Sequence, residues 1–137
     1  MIKPAFVLGA LFLALLCVLR AEESPVMQDM SAAWRAMTPW LAEIDGGGYD
    51  QSWRDAGESL QDKISLADWM AKLKQDRTPL GPVKKRNHDW TLPKGNLVTF
   101  QFTIDFEGGR RASETVTFEK QDDGTWLAAD YLFKPQS

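Results

Sequence analysis

The stretch Asn96-Leu-Val-Thr-Phe-Gln-Phe-Thr-Ile-Asp-Phe-Glu107 decides the fold of this chain. Apolar residues recur at every second position, namely Val98, Phe100, Phe102, Ile104 and Phe106. Because successive side chains of a strand point to opposite faces, this alternation predicts a β-strand with one packed face and one polar face. The sequence therefore predicts a sheet that is covered on one side.

Three further segments complete the predicted sheet. Ala112 to Lys120 and Thr125 to Phe133 follow the first strand, and the charged segment Val83 to Thr91 precedes it. Charged side chains on an exposed strand discourage pairing with other chains, so Val83 to Thr91 is predicted to lie at an edge. The result is a four-stranded antiparallel meander.

Side-chain matching predicts how these strands pair. A three-residue loop, Gly108 to Arg110, sets Phe106 opposite Ala112 and keeps the apolar residues on one face. A four-residue loop, Gln121 to Gly124, places alternate residues of the last strand on the same face: Leu127, Ala129, Tyr131 and Phe133. Trp126 is then expected on the opposite face, as part of a second packed surface or a pocket wall.

Three helices are predicted before the sheet. The first runs from Ser24 to Ile44, and Pro39 should either kink it or make it restart. The second runs from Tyr49 to Gln61, and a third begins at Ser65, which opens a capping-box pattern. Helices followed by an antiparallel meander predict an α+β fold, cystatin-like or nuclear-transport-factor-like, with the helices on the concave side of the sheet.

The first 21 residues predict export. Lys3 is followed by a sixteen-residue apolar run, Pro4 to Leu19, which suits a signal peptide and is shorter than the roughly 20 residues of a membrane span. Ala21 offers a small residue for cleavage, so residues 22–137 are predicted to form a single domain that is periplasmic or secreted. The alternative is an uncleaved segment that anchors the protein to the inner membrane.

Composition narrows the possible partners. The chain has 16 basic and 19 acidic residues, and loss of Lys3 and Arg20 with the signal moves the net charge from −3 to −5. Such a charge disfavours nucleic acid and anionic membrane as partners. The only cysteine, Cys17, would leave with the signal, and His88, the only histidine, is expected at the surface. We therefore predict no metal site, disulfide or cofactor.

An ordered series of short motifs runs along the predicted domain: Trp40-Leu-Ala-Glu-Ile-Asp45, Tyr49-Asp-Gln-Ser-Trp53, Trp69 before Arg77-Thr-Pro-Leu-Gly81, Arg86, and Gly124-Thr-Trp126 with Tyr131. In this order and spacing the chain resembles the bacterial domain-of-unknown-function 4019 family over nearly the whole mature length. The function of that family is unknown, so the resemblance implies no catalytic role for any residue.

Two classes of function agree with these residues. The favoured one is a non-catalytic module that binds a protein, peptide or small ligand in the cell envelope. Its candidate site is an aromatic-lined groove with four residues, Arg77, Trp69, Arg86 and Tyr49, whose arginines offer forked donors to a carboxylate. Alternatively, Arg77 ties the end of the third helix to a carboxylate or to backbone carbonyls. The second class is a small pocket enzyme that uses Tyr49, Tyr131 or an aspartate as acid or base.

Overall fold

The computed structural model describes residues 22–137, so the predicted signal segment and Cys17 lie outside the described part. The helices are α1 (Pro25–Asp45), α2 (Tyr49–Asp55), α3 (Glu58–Gln61) and α4 (Leu66–Arg77), followed by a 3₁₀ turn (Thr78–Leu80). The strands are β1 (Val83–Lys94), β2 (Leu97–Phe106), β3 (Arg111–Lys120) and β4 (Trp126–Gln136). No helix within residues 22–137 is long and apolar enough to cross a membrane.

The four strands form one antiparallel sheet in the order β1-β2-β3-β4. The helices pack on one face of this sheet, which confirms the predicted α+β architecture and the edge position of β1. All five alternate apolar residues of β2, from Val98 to Phe106, are at most 1% exposed. The other face carries polar contacts such as the one between the hydroxyls of Thr99 and Thr117, 3.0 Å apart. The alternation in β2 therefore predicted both faces correctly.

Helix α1 continues without a break through Pro39. Ser24 caps its start, since the Ser24 side chain accepts a hydrogen bond from the backbone N–H of Met27 at 3.3 Å. Buried residues lie on both sides of the proline, including Met37 and Leu41. Packing of this stripe against the sheet outweighs the one hydrogen bond that Pro39 cannot make, so the helix does not restart.

The predicted continuous helix from Tyr49 to Gln61 is wrong, because α2 and α3 are separate helices. At the break, the backbone N–H of Gly57 donates to the carbonyl of Ala128 in β4 at 2.9 Å. A Cβ atom at position 57 would lie 3.2 Å from the Leu127 Cβ. The chain presses its backbone directly against β4 here, and this tertiary hydrogen bond replaces a helical one.

The loop between β2 and β3 has the predicted three residues but lies one residue earlier than expected, at positions 107–109. The N–H of Phe106 donates to the carbonyl of Arg110 at 2.9 Å, and Ile104 rather than Phe106 lies opposite Ala112. The predicted register is therefore wrong by two residues, although both faces are unchanged. Gly109 has φ +86°, a left-handed conformation that strains other residues at the end of such a loop.

A β-bulge in β4 corrects the prediction for Trp126. The register between β3 and β4 shifts after Thr117, which leaves Ala129 as an extra residue. An extra residue reverses the faces of everything before it, so Trp126 is 6% exposed and packed in the core. Leu127, predicted to be inside, is only half-buried. Beyond the bulge, the aromatic residues at positions 131 and 133 are buried as predicted.

Candidate functional site

Five side chains from five different elements meet between the helices and the sheet. We call them the Arg–carboxylate cluster: Asp45, Arg77, Arg86, Glu114 and Tyr131. The first two are the last residues of α1 and α4, so two helix ends converge at one point. The other three occupy positions on the packed face of β1, β3 and β4. The cluster thus joins both layers of the fold.

Asp45 is shared by both arginines. Arg86 donates from Nη1 to Asp45 Oδ2 at 2.8 Å and from Nη2 to Oδ1 at 2.9 Å, which is a forked pair. Arg77 donates from Nη2 to the same carboxylate. Burial raises the pKa of Asp45, but the hydrogen bonds and charges of Arg86 and Arg77 outweigh this effect and hold the pKa below its usual value. Asp45 therefore stays ionised.

Glu114 is fully buried and uses both carboxylate oxygens. Its Oε1 accepts from Arg86 Nε at 2.8 Å, and its Oε2 accepts from the Tyr131 hydroxyl at 2.7 Å. The same hydroxyl accepts from Arg77 Nη1 at 3.1 Å. Burial, followed by the negative charge of Glu114, raises the pKa of Tyr131 well above its usual value. Tyr131 therefore remains protonated at any physiological pH.

Arg77 has the position expected of a structural residue. Only 4% of its side chain is exposed, and its guanidinium carbon lies 5.1 Å from the centre of the Phe133 ring. It links the end of α4 to Asp45, the arrangement of the second alternative considered above. The charges of the four charged groups of the cluster sum to zero. Both arginines donate to partners within the protein, and Arg77 Nε is the one buried guanidinium nitrogen of the cluster that has no hydrogen-bond partner among the described residues.

Of the four residues predicted to share a groove, three lie in or beside the cluster and one lies in the core. Arg77 and Arg86 meet in the cluster. Trp69 is 2% exposed and donates from Nε1 to the Ser52 hydroxyl at 2.9 Å, so it belongs to the core. Tyr49 is half-buried and lines a depression of about 290 Å³ together with Asp45 and Arg77 of the cluster.

An open apolar groove lies between α1 and the first two strands, and we call it the Trp34 groove. Its outer part has a volume of about 400 Å³ and is lined by Met30, Ser31, Trp34, Arg35, Thr91 and Phe100. Its inner part has a volume of about 170 Å³ and is lined by Trp34, Met37, Thr38, Leu41, Arg86 and Phe102. Arg86 thus connects the inner end of the groove to the Arg–carboxylate cluster.

Trp34 is the wall shared by both parts of this groove. It is 40% exposed, and its ring centre lies 5.6 Å from that of Phe100 and 5.2 Å from that of His88. His88 itself is exposed, as predicted, and its Nε2 lies 2.7 Å from the Thr91 hydroxyl. Trp34 lies beside the buried stripe of α1 rather than on it, so the apolar periodicity of the helix does not single it out.

Glu114 was missed, although the sequence carries a signal for it. On β3 the inward positions are Ala112, Glu114, Val116 and Phe118, so one carboxylate interrupts an apolar row. A lone charge at such a position requires a partner, because an unpaired buried charge is costly. Within residues 22–137 no three His, Cys, Asp or Glu side chains are grouped so that they could hold a metal ion.

Solved structures with a similar fold include proteins of the NTF2-like type. One is named as a candidate NTF2-like transpeptidase from Campylobacter jejuni, with 15% identity, a TM-score of 0.52, and coverage of 67% of this chain and 92% of that chain. Another is an NTF2-like protein of unknown function from Shewanella baltica OS155, with 12% identity and a TM-score of 0.50. The match covers 85% of this chain and 99% of that chain. At these identities the likeness shows the NTF2-like fold alone.

A protein from Catenulispora acidiphila has a TM-score of 0.51 at 10% identity, with coverage of 77% of this chain and 90% of that one. No curated protein matches the chain. A family described as "Protein of unknown function (DUF4019)" matches residues 35–131, a range that contains all five members of the Arg–carboxylate cluster. With its NTF2-like fold and this match over most of its length, the chain belongs to the DUF4019 family.

Proposed function

We propose that this protein is an exported, non-catalytic module that binds an apolar ligand in the Trp34 groove. The exposed indole of Trp34 above a floor of buried phenylalanine rings carries this proposal. Phe100 and Phe102 are each 1% exposed, whereas Trp34 is 40% exposed. A ligand that covers the indole removes apolar surface from water, which favours binding. The groove that receives this ligand is already formed in the protein.

Within the Arg–carboxylate cluster, the state of the ionisable groups favours binding over catalysis. Asp45 and Glu114 bind the two arginines, and Tyr131 donates to Glu114. A general acid or base works best with a pKa near the working pH. The pKa of Asp45 is lowered and that of Tyr131 is raised, so neither group exchanges a proton readily near neutral pH.

The name of the Campylobacter neighbour raises acyl transfer as another function. That chemistry needs a nucleophile activated by an adjacent base. Ser52 is the buried serine near the cluster, but its hydroxyl donates to the Tyr49 carbonyl at 2.7 Å and accepts from Trp69 Nε1. These contacts hold Ser52 in the core and give it no base, so the site supports binding rather than acyl transfer.

Export is supported by the charge and apolar run of the first 21 residues. Intact-mass measurement of the protein from envelope fractions should show a chain that begins at Glu22. A folded product that retains Met1 to Leu19 would instead support the membrane-anchored form.

A neutral fluorescent probe, N-phenyl-1-naphthylamine, tests the groove directly. We expect saturable binding to the purified mature protein and weaker binding to Trp34→Ala. Contact with the indole buries about 60 Å² of apolar surface, which corresponds to about a tenfold loss of affinity. Trp90→Ala is the matched control, because Trp90 is 47% exposed and lies on the opposite face of the sheet. If Trp34→Ala and Trp90→Ala bound the probe with equal affinity, the assignment of the Trp34 groove as the binding site would be wrong.

A further inference from the structure

The outer part of the Trp34 groove carries a cation without an internal partner. Arg35 lines this part and is exposed, and it takes part in none of the ion pairs between residues 22 and 137. Side chains three and four positions away on a helix are its nearest neighbours. For Arg35 these are Ser31, Ala32, Thr38 and Pro39, none of which is acidic. Its charge is therefore available to a ligand.

The inner end of the groove has no free charge among the described residues. Arg86 reaches it, but its guanidinium donates to Asp45 and Glu114 and is neutralised by them. The remaining residues that line the groove are mostly apolar. Within residues 22–137 the groove thus has one free cation, Arg35, beside the accessible apolar surface of Trp34 and Met30. Such an arrangement fits an elongated ligand with one anionic end.

The apolar surface is long enough for such a ligand. Along α1 the apolar side chains that remain accessible in the groove are Trp34, which is 40% exposed, and Met30, which is half-buried, whereas Met37 and Leu41 in the inner part are 1% and 3% exposed. At a rise of 1.5 Å per residue, the distance along the axis from Arg35 back to Met27 is about 12 Å. Met27, which is 52% exposed, lies one turn before Met30 and extends the apolar surface past the rim. A medium-length alkyl chain can lie along this path.

We propose that the Trp34 groove binds a monomeric amphiphilic anion, a medium-chain carboxylate whose alkyl chain lies in the groove and whose carboxylate pairs with Arg35. This inference rests on the proposed function and adds the chemistry of the ligand. The hydroxyls of Ser31 and Thr91 also line the outer part and offer further hydrogen bonds to the carboxylate. The net charge of the chain is −3, so its overall field opposes an anion. Selectivity for a carboxylate must therefore arise locally, at Arg35.

A series of three probes with the same alkyl chain tests this inference: dodecanoate, dodecanol and dodecylammonium, each below its micelle concentration. Affinity is measured by displacement of N-phenyl-1-naphthylamine. We expect dodecanoate to bind about fivefold more tightly than dodecanol, the range of an exposed ion pair, and dodecylammonium to bind most weakly. In Arg35→Glu the order of the two charged probes should reverse, while affinity for the neutral probe stays unchanged.

Arg54→Glu is the matched control, because Arg54 is an exposed arginine on α2 and the substitution changes the net charge equally. It should leave the order of the three probes unchanged. The role of Arg35 would be wrong if the wild type bound dodecanoate and dodecanol equally, or if Arg35→Glu and Arg54→Glu changed the order of the probes in the same way. Either result would leave the assignment of the groove unchanged. Failure of the wild type to bind the neutral probe would overturn the proposed function as well. Sedimentation with phosphatidylglycerol vesicles that depends on Arg35 would identify a lipid surface instead of a free carboxylate.

Discussion

Substitution of Glu114 by glutamine should destabilise the protein more than its small change in shape suggests. Glu114 is 0% exposed and accepts one hydrogen bond from Arg86 Nε and another from the Tyr131 hydroxyl. Glutamine retains one carbonyl oxygen for one of these donors. If its NH₂ group faces Arg86 Nε, two donors oppose each other. If it faces Tyr131, the hydroxyl must turn its O–H away and use an oxygen that already accepts from Arg77.

The expected loss follows from these contacts. One charge-assisted hydrogen bond is lost, which costs about 1.5–3 kcal/mol. The substitution also leaves Arg77 and Arg86 with Asp45 as their one remaining counter-ion in the cluster. Removal of one partner from a buried ion pair costs about 3–5 kcal/mol in total. We therefore expect Glu114→Gln to lower the free energy of unfolding by about 3–5 kcal/mol, a large part of the stability of a small domain.

Urea denaturation followed by tryptophan fluorescence measures this loss. Glu119→Gln is the matched control, because Glu119 lies on the same strand, is half-buried, and accepts a hydrogen bond from the Ser59 hydroxyl at 2.9 Å. It should cost less than about 1 kcal/mol. If Glu114→Gln were no more destabilising than this control, the cluster would not hold the two layers together and the argument for its structural role would fail.

Three further substitutions test other parts of the structure. Phe102→Ala should cost about 3–5 kcal/mol in urea denaturation, since Phe102 is 1% exposed, and a loss below about 1 kcal/mol would contradict the assigned face of β2. Partial burial and the neighbouring Asp55 carboxylate raise the pKa of Glu43 from 4.5 to about 7, so the folded state holds a proton that the unfolded chain releases. Stability should therefore fall as the pH rises through this range, by less than about 1 kcal/mol because the group is partly exposed, and Glu43→Gln should abolish that dependence. Gly57→Ala should lower stability by about 1–3 kcal/mol, because its Cβ would lie 3.2 Å from the Leu127 Cβ, and an unchanged denaturation midpoint would contradict this close contact.

The faces of the sheet could be predicted from sequence more reliably than its register. Alternation in β2 assigns every side chain to a face, and a shift of two residues leaves that assignment unchanged. The register depends on the loop before Arg111, in which Gly109 takes the left-handed conformation. In β4 the neighbouring residues Ala128 and Ala129 have the same size and polarity, so hydrophobicity did not show which one is the extra residue of the bulge.

The candidate site was only partly predictable. Arg77 and Arg86 were singled out because forked donors seek carboxylates, and the structure brings them together on the same two carboxylates. Glu114 lies 28 residues from Arg86 and 17 from Tyr131, so their contact depends on strand order and register rather than on any local pattern. The Trp34 groove depends in the same way on how α1 crosses the sheet.

The close approach of β4 to the helices determines how much of the chain must be present before the domain can fold. This strand of 11 residues follows the other described elements of the domain, and it supplies the carbonyl of Ala128 to Gly57 and the hydroxyl of Tyr131 to Arg77. A nascent chain that still lacks these residues has no acceptor for Gly57 and leaves one side of its core open to water. Stable folding of the domain should therefore require this strand, and a fragment that ends before Trp126 should be open to proteolysis throughout.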